Sequence, residues 1–167
     1  MTESHNHDFF MRAALAEART SAIEGNQGVG SVIVRDGVII ATGRNLENTE
    51  HDPTAHAETV AIRNFVTGLA DADGNDTERG PWSDYNLEAR VLSDAVLYTT
   101  FEPCPMCCGA ILSAGVSTVV IGGRPARDAT RWGDYTIEKL LEMTGWDDRV
   151  IVVTGVLVDE CFAARSR

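Results

Sequence analysis

The pattern of apolar, β-branched and polar residues along this chain predicts where helices and strands lie. Over residues 7–24 apolar residues recur every three or four positions among charged residues, and Gly25 follows, so we predict a first helix there. Residues 31–34 and 38–42 are rich in β-branched side chains and flank Asp36-Gly37, a dipeptide that favours a two-residue hairpin turn. These segments predict a helix followed by two antiparallel strands.

The rest of the chain predicts helices that alternate with strands. We expect helices over residues 55–66, with Thr54 as the cap, and over 105–114, 135–143 and 159–165. Strands are expected over residues 95–100, 118–121 and 150–153. Residues 68–88, rich in Asp and Gly, predict a polar loop that could be a lid or an insertion. The order indicates an α/β fold in which a mixed sheet is sandwiched between helices.

Composition narrows the class of protein. With 167 residues, 44% of them hydrophobic, residues 1–167 should form a single domain. We see no targeting signal and no apolar run long enough for a membrane span, so we expect a cytoplasmic protein without membrane contact. The net charge of −11 and the single lysine, Lys139, should repel a phosphate backbone, although a local arginine cluster could still hold a nucleic acid.

Two short motifs carry candidate chemistry. His56-Ala57-Glu58 opens one predicted helix, and Pro103-Cys104-Pro105-Met106-Cys107 opens another. One imidazole and two thiolates are ligands that zinc favours, and three ligands leave a fourth position open for water, as catalytic zinc sites do. The carboxyl group of Glu58 could move the protons that a hydrolytic reaction requires.

The residues of the two motifs allow other interpretations. A lone C-x-x-C pair can be a redox centre or part of a closed structural zinc site. A closed site needs a fourth ligand, but Cys108 points about 100° away from Cys107 around a helix, and Cys161 is expected to pack as a small apolar residue. Residues two apart on a regular helix also point in nearly opposite directions, so spacing alone does not bring His56 and Glu58 together.

Tryptophan could in principle stack on a ring-shaped substrate. Trp82, Trp132 and Trp146 lie in or near predicted loops, and for each of them we favour a packing role over base stacking.

The two motifs, with the residues around them, resemble a known family. The pairing of H-x-E with P-C-x-x-C is the known signature of zinc deaminases. Residues 51–58 (HDPTAHAE) and 97–110 (LYTTFEPCPMCCGA) resemble the nucleobase and tRNA-adenosine deaminase branch of the cytidine-deaminase-like superfamily, which includes guanine deaminase, cytosine deaminase and tRNA adenosine deaminase. The resemblance implies a five-stranded mixed sheet between helices, and a homodimer.

The resemblance also implies roles for individual residues. It makes His56, Cys104 and Cys107 the ligands of a Zn²⁺ ion and Glu58 the catalytic proton shuttle. It implies that Asn45 hydrogen-bonds the base, and that the backbone amides of Ala57 and Cys104 meet substrate oxygens.

The substrate is harder to choose. We expect hydrolytic deamination of a small-molecule substrate, a free nucleobase or nucleoside of the guanine or cytosine type, whose exocyclic amine becomes a carbonyl as ammonia leaves. The acidic charge, and a sequence that stops at Arg167 without a basic C-terminal extension, favour this over the alternative, a tRNA adenosine-to-inosine deaminase. Asp128-Ala129 and residues 155–161 nevertheless resemble the tRNA-acting branch. A zinc-stabilised binding module without catalysis is disfavoured, because it would have no use for Glu58.

Overall fold

The structure is a computed structural model, and it describes residues 4–73, 92–126 and 131–165. The helices are α1 (Ser4–Ile23), α2 (Glu47–Glu50), α3 (Ala57–Asp73), α4 (Pro105–Ala114), α5 (Ile137–Thr144) and α6 (Val158–Arg165). The strands are β1 (Gly30–Arg35), β2 (Val38–Arg44), β3 (Val96–Phe101), β4 (Thr118–Gly123) and β5 (Ile151–Thr154).

The strands form one five-stranded mixed sheet in the order β2-β1-β3-β4-β5. β1 pairs antiparallel with β2 and β3, whereas β3, β4 and β5 run parallel. In the turn between β1 and β2, Asp36 and Gly37 have φ angles of 52° and 74°, the pair of positive values that a type I′ hairpin turn requires. The predicted hairpin and the predicted α/β fold class are therefore confirmed.

Helices cover both faces of the sheet, because successive strand residues point to opposite sides. On one face, Val32 and Tyr98 pack against α1 through Met11 and Leu15. On the other face the neighbouring strand residues pack against α3, α4 and α5; this second cluster includes Ile33, Leu97, Ala61, Ile111 and Leu141. The sheet is thus buried on both sides, as predicted. In the described part of the chain, no helix is long and apolar enough to cross a membrane.

The predicted start and end of α3 need correction. The helix begins at Ala57, and Thr54 does not cap it, because the Thr54 hydroxyl and amide both donate to the Asp52 carboxylate, at 2.7 and 2.8 Å, in the preceding turn. The helix also continues to Asp73, so the first part of the predicted loop at 68–88 is helical. A single exposed glycine such as Gly68 costs a helix only about 1 kcal/mol and does not end it. Residues 74–88 of that loop lie outside the described residues.

The strand directions bring several chain segments to one edge of the sheet. β2, β3 and β4 point the same way, so the residues that follow them, Asn45, Glu102 and Arg124, meet at their common carboxyl edge. α3 can approach this edge closely because residue 43 is glycine: a Cβ there would lie 2.3 Å from the Ala61 backbone nitrogen. In open α/β sheets, ligands bind at such carboxyl edges.

Candidate metal centre and active site

Three ligand atoms converge at this edge. The Nδ1 atom of His56 lies 3.5 Å from the Cys104 sulfur and 3.4 Å from the Cys107 sulfur, and the sulfurs are 3.6 Å apart. Tetrahedral zinc with bonds of about 2.3 Å to sulfur and about 2.0 Å to nitrogen requires ligand atoms about 3.5–3.8 Å apart. The donor set therefore fits zinc. Among the described residues, no other group of His, Cys, Asp or Glu has such an arrangement.

Local backbone structure explains how the ligands meet. Cys104 is the N-cap residue of α4 and has an extended backbone, and Pro105 is the first residue of the helix. Cys107 lies three residues after Cys104, about one turn later and on the same side of the helix. The Cys107 thiol beside Cys104 lowers the pKa of Cys104 to about 4. The same hydrogen bond raises the pKa of Cys107, so Cys104 is the first of the pair to ionise.

The start of α3 resolves the difficulty of the H-x-E spacing. Because the helix begins at Ala57, His56 is a non-helical residue directly before it, and Glu58 lies in its first turn. The rule for a regular helix does not apply across this boundary, so both side chains line the same cavity.

Glu58 has the surroundings expected of a proton carrier. Its side chain is buried, with 3% of the residue exposed, and the Thr99 hydroxyl lies 2.9 Å from one of its oxygens. Burial raises the pKa of Glu58, which makes the protonated form accessible closer to neutral pH. It is not among the three grouped metal ligands.

Asn45 is buried beside the metal centre and held on both sides. Its side-chain amide nitrogen donates to the Glu47 carboxylate at 2.7 Å, and its side-chain oxygen accepts from the Glu47 backbone N–H at 3.2 Å. The backbone carbonyl of Asn45 accepts a 2.8 Å hydrogen bond from the Ser21 hydroxyl. Asn45, Ala57 and Cys104, the residues assigned to the substrate by resemblance, all line the cavity.

The cavity has a volume of about 310 Å³, at the lower end of the range for sites that hold small molecules or single groups of larger ones. It is lined by His56, Glu58, Asn45, Glu47, Phe101, Glu102, Cys104, Arg131, Trp132, Tyr135 and Arg165, with Gln27, Val29, Ala57, Pro103 and Pro125.

Two arginines at the cavity each lie over an aromatic ring. The Arg165 guanidinium is 3.6 Å from the centre of the Phe101 ring, and that of Arg131 is 4.7 Å from the Trp132 ring. Trp132 is 45% exposed, so its expected packing role is wrong. Sequence reasoning missed both arginines and Glu47, because none belongs to a motif and Arg165 reaches the site only through the folding of α6.

The remaining cysteines behave as expected from the sequence. Cys108 and Cys161 are fully buried, and neither belongs to the metal-ligand group. Burial raises the pKa of each thiol to about 11, which is the behaviour of a small apolar side chain. Trp146 packs against the core, whereas Trp82 lies outside the described residues.

This chain is similar in sequence to proteins of known function and similar in fold to solved structures. A tRNA-specific adenosine deaminase of Bacillus subtilis (strain 168) is 34% identical over 154 residues, 92% of this chain and 83% of that protein. A guanine deaminase of the same organism is 43% identical over 111 residues, 64% of this chain and 57% of that protein. A solved structure from a study of A-to-I editing by tRNA:A34 deaminases matches with a TM-score of 0.66 and 28% identity, over 93% of this chain and 98% of that one.

These similarities correct the predicted substrate and partner. The prediction of a small-molecule nucleobase or nucleoside substrate, with tRNA less favoured, is wrong, because the relatives that match over most of both chains are tRNA-specific adenosine deaminases. The prediction relied on the net charge of −11, which describes the whole surface. The net charge does not report the charges at the cavity, where Arg131 and Arg165 lie among Glu47, Glu58 and Glu102.

The family is settled by the match to its model. Residues 4–123 match the cytidine and deoxycytidylate deaminase zinc-binding region, and this span contains both motifs. The three converging ligands agree with that zinc-binding description. This chain therefore belongs to the cytidine and deoxycytidylate deaminase zinc-binding family, and it is a zinc-dependent hydrolytic deaminase.

Proposed function

We propose that this protein converts adenosine to inosine in transfer RNA, with adenosine 34 at the wobble position as the target. The observation that carries the proposal is the similarity to tRNA adenosine deaminases over nearly the full length of both chains. The match to guanine deaminase has higher identity but covers a smaller part of each protein. We also propose that residues 1–167 act as one deaminase domain.

The reaction replaces the exocyclic amine of adenine with oxygen from water, and ammonia leaves. Zinc held by His56, Cys104 and Cys107 would lower the pKa of water and so supply a nucleophile at neutral pH. Glu58 accepts one proton from the attacking water and passes it to the ring nitrogen. It then carries the second proton, from the hydroxyl group added to the ring carbon, to the amine, so that the carbon–nitrogen bond breaks, the carbonyl forms and ammonia leaves. Its buried position next to Thr99 and its raised pKa support this assignment.

Asn45 and two backbone amides would orient the base. We assign the side chain of Asn45 to a hydrogen bond with the base, and the amides of Ala57 and Cys104 to its polar edge. Their position around the cavity that contains Glu58 supports the assignment. Because Asn45 is held by Glu47 and Ser21, it would present its remaining hydrogen-bonding capacity in a fixed direction.

The aromatic and arginine side chains at the cavity suit a base that is displaced from an RNA loop. Sequence-specific RNA recognition commonly uses unstacked bases that lie on aromatic rings or on the guanidinium planes of arginines. Phe101 with Arg165, and Trp132 with Arg131, offer two such surfaces beside the site. The positive charge of Arg131 and Arg165 also favours contact with phosphates near the target nucleotide.

A panel of substrates tests the proposal. The kcat/KM for deamination is measured by nucleoside mass spectrometry on an anticodon stem-loop, on adenosine and cytidine, and on free adenine, guanine and cytosine. We expect the stem-loop to exceed every free base and nucleoside, with inosine as the product. A control stem-loop with guanosine at the target position should release no ammonia. Faster turnover of any free base or nucleoside would contradict the proposal.

We further propose that the protein is a homodimer. Support comes from α4, which is apolar on nearly every side. Its outer face exposes Met106, Gly109 and Ser113. A second copy could cover this face. Light scattering should give twice the mass of the 18.1 kDa chain, and a species of 18.1 kDa alone would contradict the dimer.

We also propose a cytoplasmic location. It follows from the proposed substrate, because mature transfer RNA works in the cytoplasm.

A further inference from the structure

We propose that Glu47 is a positioning residue of the deaminase centre, which holds the metal ligand His56 and the base-binding residue Asn45 at the same time. The part that concerns Asn45 rests on the proposed function, whereas the part that concerns His56 requires only the metal site. Glu47 belongs to neither motif.

The first link is to the imidazole of His56. Nδ1 of this ring faces the two sulfurs, and the opposite nitrogen, Nε2, lies 3.4 Å from a carboxylate oxygen of Glu47. A neutral histidine that offers Nδ1 to a metal carries its proton on Nε2, the ring nitrogen that lies beside the Glu47 carboxylate. Carboxylates in this position fix the tautomer and the orientation of a metal-binding ring. The side chains are only 16% and 32% exposed, which reduces screening by solvent.

The second link is to the amide of Asn45. The second carboxylate oxygen of Glu47 accepts the 2.7 Å hydrogen bond from Asn45, and the Glu47 backbone N–H donates to the oxygen of the same amide. Turning the amide over would break both contacts, so Glu47 determines which end of Asn45 faces the cavity. Each carboxylate oxygen of Glu47 therefore has its own protein partner, which favours a positioning role over direct contact with substrate.

The backbone around Glu47 is anchored without help from its side chain. The Leu46 N–H donates to the carbonyl of Ala55 at 2.9 Å, which ties the segment to the residue before His56. The Asn26 side-chain oxygen accepts from the backbone N–H groups of Asn48 and Thr49 at 2.9 and 3.1 Å. Replacing the side chain of Glu47 should therefore leave α2 folded, and losses can be assigned to the two contacts.

The experiment compares Glu47→Ala and Glu47→Gln with a control, Glu50→Gln. Glu50 is the last residue of α2, lies outside the site cavity, and pairs with Arg63 at 4.0 Å. Zinc affinity is measured without substrate, by competition with a chromogenic chelator. We expect Glu47→Ala to weaken it about 10- to 100-fold, and Glu47→Gln to weaken it less, because its amide keeps one acceptor oxygen.

The second readout is KM at saturating zinc, measured on whichever substrate the panel identifies as best. We expect KM to rise in Glu47→Ala, whereas the Glu50→Gln control should match the wild type in both measurements. Circular dichroism and melting temperature show whether each variant is folded. Wild-type zinc affinity or wild-type KM in folded Glu47→Ala would overturn the double role, as would equal losses in the control. Failure of the tRNA proposal would appear in the panel alone, because the zinc measurement contains no RNA.

Discussion

The hydroxyl of Thr99 lies 2.9 Å from a carboxylate oxygen of Glu58 and 3.0 Å from the backbone carbonyl of Phe101. A hydroxyl has one proton to donate, and it can also accept. Thr99 can donate a hydrogen bond to an ionised Glu58, or it can donate to the Phe101 carbonyl and accept a hydrogen bond from a neutral Glu58. The buried Glu58 thus keeps a hydrogen-bond partner in both protonation states, as a group that carries a proton during the reaction requires.

Thr99→Val should therefore slow deamination while zinc stays bound. A hydrogen bond to a charged group is worth about 1.5–3 kcal/mol, so kcat should fall about 10- to 100-fold. Thr99→Ser keeps the hydroxyl and is the matched control. The measurements are the rate constant of a single turnover, which reports the chemical step, and the zinc content of each variant. Equal rates for the Val variant and the wild type would show that the contact has no part in catalysis.

The metal assignment predicts different behaviour for two adjacent cysteines. Cys107→Ala removes a ligand and should lose most of the zinc and nearly all of the activity. Cys108→Ala removes a buried thiol that lies outside the ligand group, so zinc content should stay near one per chain. Elemental analysis of gently purified proteins makes the comparison. Full zinc occupancy in Cys107→Ala, or equal loss in both variants, would be inconsistent with the site.

Arg165 should contribute to RNA binding through its charge. Arg165→Gln removes a positive charge at the cavity, so binding of an anticodon stem-loop should weaken. The slope of log Kd against the logarithm of the salt concentration should decrease by about one. Arg149→Gln is the control, because Arg149 also lies over an aromatic ring, that of Trp146 at 5.1 Å, but outside the cavity. Fluorescence anisotropy at several salt concentrations measures both. Identical salt slopes for the wild type and Arg165→Gln would refute the role.

Much of the fold follows from local patterns in the sequence. The β-branched run at residues 31–34 predicts the strand β1, and Asp36-Gly37 predicts the hairpin turn that the φ angles confirm. The predicted bounds of α4 agree with the structure because Pro105 marks its start and Gly115, with a φ of 83°, marks its end. The start of α3 was less predictable, since the choice between Thr54 and the turn around Asp52 depends on competing short-range hydrogen bonds.

The candidate site was predictable only where a motif supplied it. Zinc chemistry predicts the ligands His56, Cys104 and Cys107. That the side chains of His56 and Glu58 line the same cavity depends on where α3 begins. Glu47 and Arg165 were not found, because their roles depend on contacts between segments distant in sequence. Net charge misled the substrate prediction, since it does not report where the arginines lie.

The central claim is that Glu58 and the three zinc ligands convert adenosine to inosine in an RNA loop. The most direct test is to incubate tRNA containing adenosine at the wobble position with the wild type or with Glu58→Gln, and to quantify inosine at that position. The wild type should produce it. Glu58→Gln should keep its zinc and its fold but be slower by at least about 10²–10⁴-fold, because it loses the proton carrier without losing a ligand. No inosine with the wild type, or near-normal inosine with Glu58→Gln, would contradict the account.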